Sequence, residues 1–146
     1  MEKFSKYLES IIIYPNPMKL ESRKVKVSKS SEYIFTTLEK LSSYEGLMPE
    51  SIEKFEIDND SFIFGLKGMP EIRLVIKEKN PNSKIILGAA SSKMPFTLEL
   101  DINQIEENSS EVQLFFMGEF NPMISMMVKK PLTKFIETLI DNIEKL

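Results

Sequence analysis

The sequence predicts an α+β fold in which a curved antiparallel sheet of seven strands wraps around a long C-terminal helix. Residues 121–146 repeat apolar side chains every three or four positions, which is the period of an amphipathic helix. Residues 52–120 instead alternate polar and apolar side chains, which is the period of half-buried strands. Short turns separate these strand patterns, and short turns join antiparallel neighbours. A sheet of this kind needs a cover for its apolar face, and the C-terminal helix can provide it.

The C-terminal helix is predicted to begin after Asn121, whose side chain suits an N-cap, with Pro122 as the first helical residue. Pro131 lies inside the pattern and has no N–H to donate, so we expect a kink there. The apolar stripe that must be buried consists of Ile124, Val128, Leu132, Phe135, Leu139, Ile143 and Leu146.

The strands are predicted from the alternation of side chains and from the turns between them. A first strand covers residues 20–27, and Ser30 then caps a helix that buries Ile34, Phe35, Leu38 and Leu41. Residues 42–49 indicate a very short second helix or a turn. Six further strands are predicted at residues 52–57, 61–66, 71–78, 84–90, 96–102 and 111–120. Tight turns between them imply a meander.

Residues 1–17 lie outside this pattern, and we treat them as an N-terminal extension of a domain that covers residues 18–146. Five apolar side chains share one helical face in this extension: Phe4, Tyr7, Leu8, Ile11 and Ile12. Residues 15–17, Pro-Asn-Pro, end that pattern. Two interpretations stay open. The extension is a short helix that packs on the domain or on a second subunit of a homo-oligomer, or it is a leader and translation starts at Met18.

Composition limits the classes of function. The 146 residues suit one domain, and 42% hydrophobic with 28% charged residues is ordinary for a globular protein. The net charge is −3 and the lysines are dispersed among acids, so we expect no nucleic-acid partner. No apolar run approaches the roughly 20 residues of a membrane-spanning helix, so we expect no membrane span. The lack of cysteine favours a cytoplasmic location.

The absence of two residue types restricts the chemistry. The chain has no cysteine and no histidine, so thiolate nucleophiles, Ser-His pairs and the common transition-metal sites have no ligands or bases here. Any catalysis would depend on Asp, Glu, Lys or Tyr side chains. We therefore expect no cofactor and no metal, and the sequence counts against an enzyme without deciding the question.

Residues 18–146 resemble the START-like, or SRPBCC, helix-grip superfamily, which includes polyketide cyclases, birch-pollen-allergen-like proteins and lipid-transfer domains. The likeness lies in the order of elements and in three phrases, at residues 27–32, 119–123 and 128–132, the last of them similar to small bacterial members. The resemblance implies a cavity between the sheet and the long helix. Such a cavity would hold a small apolar molecule such as a lipid, a polyketide or a quinone.

The candidate ligand-binding residues are the apolar side chains that would line this cavity. They are Phe35, Phe55, Phe64, Leu74, Leu87, Leu98, Leu114, Phe116, Met123, Met127 and Leu132. An equally open interpretation is that they are plain core and fill the space themselves. The polar candidates near the cavity or its mouth are Tyr33, Tyr44, Glu53, Arg73, Glu99, Glu119 and Asn121. Most of these suit an exposed surface, whereas alternation places Glu53 on the inward face.

Three functional classes follow from these observations. The first is a carrier or sensor of a small hydrophobic molecule. The second is a cyclase- or hydrolase-type enzyme, for which a pair of carboxylates and a tyrosine inside the cavity would be the evidence. The third is a protein-interaction module, which a filled cavity and an exposed apolar patch would favour.

Overall fold

The structure, a computed structural model, describes residues 17–91 and 95–146, and all statements below concern these residues. The strands are β1 (Met18–Glu21), β2 (Val25–Val27), β3 (Ile52–Asp58), β4 (Ser61–Leu66), β5 (Ile72–Asn80), β6 (Lys84–Ala89), β7 (Phe96–Glu106) and β8 (Ser109–Gly118). The helices are α1 (Ser31–Leu38), a 3₁₀ helix (Leu41–Leu47) and α2 (Pro122–Glu144). The predicted extension, apart from Pro17, lies outside the described residues.

One antiparallel sheet contains all eight of these strands in the order β1-β8-β7-β6-β5-β4-β3, and β2 also pairs with β8. From β3 to β8 the order in the sheet follows the order in the chain, because each hairpin places a strand beside its predecessor. The predicted meander and the predicted α+β helix-grip architecture are confirmed.

The predicted first strand is in fact two strands, which is why the sheet has eight strands instead of seven. Glu21 pairs with Phe115 and Val25 pairs with Val112, so three residues of the N-terminal strand lie opposite two residues of β8. This is a β-bulge. Ser22 stabilises it, since its N–H donates to the Leu114 carbonyl and its Oγ accepts from the Leu114 N–H, both at 2.9 Å.

Helix α2 begins as predicted, and five of the seven predicted stripe residues are buried, whereas Ile124 and Leu146 are only partly buried. The Asn121 side chain accepts a hydrogen bond from the Ile124 N–H at 2.9 Å, and Pro122 is the first helical residue. The helix continues through Pro131, and a kink there stays a prediction. The buried residues of α2 are Val128, Leu132, Phe135, Ile136, Leu139, Ile140 and Ile143.

Aromatic rings fill much of the space between the sheet and α2. Phe64 of β4 stacks on Phe135 of α2 with ring centroids 5.1 Å apart. Phe62 stacks on Tyr44 of the 3₁₀ helix at 5.3 Å and on Phe55 at 5.2 Å. Each stacked pair stabilises the core by about 0.5–1.5 kcal/mol beyond the burial of its surface. These rings contact each other directly within a core that is otherwise mostly aliphatic.

The bulge also connects the start of the sheet to the end of α2. Arg23 lies in the bulge and donates hydrogen bonds to Asp141 at 2.7 Å and to Glu144 at 2.9 Å. The Arg23 guanidinium holds the pKa of the Glu144 carboxyl below its usual range. All three side chains are largely exposed, so solvent screens the attraction and its contribution to stability is small.

Two carboxylates lie side by side on the outer face of the sheet, opposite to α2. Glu99 and Asp101 alternate along β7 with the buried Leu98 and Leu100, so their side chains point away from the core. Burial, and then the neighbouring Glu99, raise the pKa of Asp101 to about 6. Oδ1 of Asp101 is buried and has no hydrogen-bond donor among the described residues. A proton shared with Glu99 would satisfy this oxygen.

We predict that Asp101→Asn stabilises the protein at neutral pH. The pKa of Asp101 in the folded state is about 6, above its ordinary value of 3.8, so the folded state binds the proton more tightly. The stability that this proton supplies is complete below about pH 4 and is lost as the pH rises through about 6. Urea unfolding should therefore show a larger gain for Asp101→Asn at about pH 7.5 than at about pH 5. A gain that is equal at both pH values, or equal to that of Asp60→Asn in the exposed β3–β4 turn, would contradict this.

We predict that deletion of residues 1–17 leaves the domain folded. The first strand begins at Met18 and pairs with Gly118, so the deletion removes no described strand or helix. The melting temperature should fall by only a few degrees, which corresponds to about 1 kcal/mol. Loss of the folded circular dichroism spectrum would show that the extension belongs to the core. A smaller assembly after deletion would assign the extension to a subunit interface.

Candidate ligand-binding groove between the sheet and the C-terminal helix

Most of the predicted cavity residues are core residues in the structure. Seven of them have only 0–3% of their surface accessible: Phe64, Leu74, Leu87, Leu98, Leu114, Phe116 and Leu132. Values this low mean that almost all of the surface of these side chains is covered by other protein atoms. Phe35 is also buried, at 6%. These side chains belong to one packed hydrophobic core, as the second interpretation of them expects, and a role in ligand binding stays a prediction.

Two of the predicted residues lie on the outside of α2. Met123 is 80% exposed and Met127 is 54% exposed, and Met126 between them is 83% exposed. The buried stripe of α2 passes through Val128 and Leu132, which places these three methionines on the opposite side. The sequence could not decide this, since residues 123–128 are apolar nearly all round the helix. We call Met123, Met126 and Met127 the methionine patch.

The strand that carries Phe55 and Glu53 contains an irregularity. Phe55 is half-buried and stacks on Phe62, so it contacts the edge of the core. The register of β3 against β4 shifts between Ile52 and Lys54, and Glu53 is the extra residue. This bulge breaks simple alternation, so the prediction of an inward Glu53 is wrong and the residue is exposed.

The other polar candidates have structural partners or lie in solvent. The Tyr44 hydroxyl donates to the Leu38 carbonyl at 2.7 Å, and burial raises the pKa of Tyr44. Arg73 is exposed and donates to Ser61 Oγ at 2.7 Å and to Asp58 at 3.3 Å. Tyr33 is exposed at 48%. These contacts assign the candidates to the packing and surface of the fold.

The space between the sheet and α2 opens at one edge as a surface groove of about 330 Å³. Its walls come from the end of β4, from the loop before β3 and from the middle of α2. The residues that line it are Pro49, Ser51, Leu66, Lys67, Lys130, Pro131, Lys134 and Phe135. We call it the α2–β4 groove.

Local structure keeps this groove open. Strand β4 ends at Leu66, and a turn follows in which Gly68 has a φ of 88°, a conformation that favours glycine. The Lys67 N–H donates to the Ser51 carbonyl at 3.3 Å, which fixes the loop before β3 against this turn. On the other wall Pro131 presents a short ring in place of a longer side chain. The chain therefore turns away on the β4 side of the opening, and the helix side carries a short ring.

The floor of the groove is apolar and its rim is cationic. Leu66 and Phe135 are each 3% exposed and form the floor, with Pro131 beside them. Lys67, Lys130 and Lys134 are exposed at the rim, and none of the three forms an ion pair with a described residue. The groove can therefore accept an apolar body and, at its rim, negative charge.

Sequence reasoning did not single out most of these residues. Leu66 and Phe135 were predicted only as members of a strand and a helix. The sequence signal that could have indicated this groove is Pro131 with Lys130 directly before it and Lys134 three residues after it. All three lie on the helix that is predicted to cover the sheet. The lining of the groove also depends on the loop at Pro49, and sequence patterns do not place a loop against a distant helix.

A second surface cavity, of about 520 Å³, lies beside the end of β6 and the start of β7. Lys77, Ala89, Thr97 and Met117 are among its lining residues, and Ser91 and Pro95 border it. It therefore adjoins residues 92–94, which are outside the described part of the chain.

The described residues hold no group of three or more Asp and Glu side chains that could bind a metal ion. No helix in the described part of the chain is both long enough and apolar enough to cross a membrane.

Comparison with known proteins identifies the fold. No family model and no curated protein matches the sequence. Among solved structures, a START superfamily protein from Mycobacterium smegmatis aligns over 87% of this chain and 94% of its own, with a TM-score of 0.61 and 13% identity. Norcoclaurine synthase from Thalictrum flavum, in complex with dopamine and hydroxybenzaldehyde, aligns over 94% of this chain and 90% of its own, with a TM-score of 0.68 and 13% identity.

The protein XoxI from Bacillus cereus is also similar, with a TM-score of 0.67 and 8% identity over 87% of this chain and 93% of its own. Identities this low show the fold alone. The resemblance seen in the sequence is confirmed at that level: the chain has the helix-grip fold of the START-like superfamily.

Proposed function

We propose that the protein binds a small hydrophobic molecule in the α2–β4 groove and acts as its carrier or sensor. The observation that carries the proposal is an apolar groove of about 330 Å³ between the sheet and α2. Small-molecule sites in proteins are concave, mostly apolar and about 300–1,000 Å³ in volume. The buried Leu66 and Phe135 supply a preformed apolar floor, so binding does not require the core to open.

The groove supports binding more strongly than catalysis. An enzyme of this fold exists, since norcoclaurine synthase is one of the similar structures. In this chain, however, the close carboxylate pair Glu99 and Asp101 lies on the opposite face of the sheet, and the Tyr44 hydroxyl is engaged by the Leu38 carbonyl. A cyclase- or hydrolase-type activity is therefore the weaker alternative.

The chemical class of the molecule follows from the shape of the site. Its floor suits an aliphatic chain or a flat ring, as in a lipid, a polyketide or a quinone. The interior residues are packed, so the ligand would lie along the groove instead of deep within the sheet. Such shallow binding is suited to a molecule that must be loaded and released readily.

We predict that Ser51→Trp weakens the binding of Nile red, a neutral environment-sensitive dye. Ser51 is exposed and lines the groove, so an indole there occupies the ligand's space without disturbing the core. The unmodified protein should bind the dye with micromolar affinity, about −8 kcal/mol. The variant should lose about tenfold, and a fluorescence titration measures both values.

Ser28→Trp is the matched control, because Ser28 is also exposed but lies outside the groove. It should bind the dye like the unmodified protein. The chain has no natural tryptophan, so the emission of each introduced indole also reports its own surroundings. Equal dye binding by both variants would contradict the proposal.

We infer a second candidate function, protein interaction, from the methionine patch. Its three side chains are 54–83% exposed at the start of α2, and flexible methionine side chains adapt to varied apolar partners. The partner that suits a helical apolar strip is an amphipathic helix. The chain's own residues 4–12 carry such a pattern in sequence. The extension joins the fold at Met18, which pairs with Gly118. Because α2 begins four residues after Gly118, the extension joins the fold close to the methionine patch.

An engineered disulfide tests this second candidate. The chain has no cysteine, so Leu8→Cys combined with Met126→Cys introduces one defined pair of thiols. If residues 4–12 cover the patch, mild oxidation should link this pair far more completely than Leu8→Cys combined with Thr36→Cys on α1. A linked monomer indicates contact within one chain, and a linked dimer indicates contact between copies. Equal linkage in both double variants would refute the interaction.

A further inference from the structure

The rim of the α2–β4 groove concentrates positive charge from two separate elements. Lys130 and Lys134 are one turn apart on α2 and project from the same side of the helix. Lys67 follows the last residue of β4 and lines the opposite wall. The three ammonium groups therefore face the same opening, which has no carboxylate among its lining residues.

The three rim lysines, like most basic side chains in the described residues, form no ion pair, whereas five basic side chains elsewhere do. Arg23, Lys54, Arg73, Lys79 and Lys84 each lie within 4.0 Å of a carboxylate oxygen. The protein as a whole carries a net charge of −3. A cluster of three lysines without an ion pair in the described residues is thus a local excess of positive charge on an acidic protein.

Nearby acids reduce this excess without removing it. Glu137 lies one turn beyond Lys134 and borders the neighbouring cavity along the outer face of α2. Glu50 is exposed between Pro49 and Ser51 but is not one of the groove's lining residues. Neither carboxylate forms an ion pair with the rim lysines. The charge at the opening remains available to a ligand.

We infer that the molecule bound in the groove is an amphipathic anion, with an apolar chain or ring and one carboxylate-like group. This inference rests on the proposed function. The apolar part lies on Leu66, Pro131 and Phe135, and the anionic group lies at the rim among Lys67, Lys130 and Lys134. The lysine stems extend the apolar wall while their ammonium groups stay in water, as long basic side chains commonly do.

The size of the expected preference for an anionic ligand follows from the exposure of the lysines. Contacts between exposed charges each contribute a fraction of a kcal/mol, so three of them together should favour an anion over its neutral analogue by about tenfold in affinity. The preference should weaken as the salt concentration rises, because exposed charges are screened. The neutral analogue should show little salt dependence.

The experiment compares decanoate with decan-1-ol as competitors of Nile red. Both carry the same chain length, and only the first has a charge at neutral pH. The test variant combines Lys67→Gln, Lys130→Gln and Lys134→Gln. The control variant combines Lys24→Gln, Lys26→Gln and Lys40→Gln, which are exposed positions outside the groove. Circular dichroism checks that both variants keep their helix content.

We expect decanoate to compete about tenfold more strongly than decan-1-ol with the unmodified protein and the control variant. The test variant should lose this preference and keep its affinity for decan-1-ol and Nile red. Equal competition by both compounds would overturn the inference while the proposed function stands. An equal loss of the preference for decanoate in the test and control variants would do the same. Failure of Nile red to bind the groove would overturn both.

A membrane surface is another source of anionic groups, and vesicles with and without anionic phospholipid test it. Binding to anionic vesicles through the three lysines, without preference for free decanoate, would overturn the inference in favour of a lipid surface. Preference for decanoate without lysine-dependent vesicle binding supports the groove as a site for a single molecule.

Discussion

The burial of one face of α2 against the curved sheet is the interaction on which the rest of the structure depends. Without it the alternating apolar face of eight paired strands would lie in water, and neither layer is stable alone. Seven side chains of α2 are buried in this contact, and the Phe64–Phe135 stack at 5.1 Å joins the helix to β4. The position of α2 follows from connectivity, because it begins four residues after β8 ends.

The same contact decides where a ligand could bind. Rings from β3, β4, the 3₁₀ helix and α2 occupy the middle of the interface, so the space left for another molecule is at its edge. At this edge strand β4 ends at Leu66, and the facing residue of α2 is Pro131, whose side chain is short. A molecule bound there, as proposed, would lie beside the packed core and not within it.

The sequence was sufficient for features set by local chemistry and by periodicity. The strand 61–66, the caps at Ser30 and Asn121, and the meander depend on short patterns, and all were predicted correctly. The bulges at Ser22 and Glu53 were missed, because one extra residue changes the register without a strong sequence signal. A cavity wall and a packed core have the same apolar pattern, so the filled interior could be recognised only from the structure. The outward methionines were missed because residues 123–128 are apolar on every side.

The methionine patch and the α2–β4 groove are not independent surfaces. Lys130 and Lys134 line the groove, and both also line the cavity of about 510 Å³ that continues along α2 past Met126. A helix that covered the patch and carried an acid toward these lysines would neutralise the charge that an amphipathic anion needs. The two binding events would then be coupled, and linkage requires the coupling to be reciprocal: each would weaken the other by the same factor. Shared lysines thus give this small fold a physical route by which a protein contact could control the release of a bound molecule.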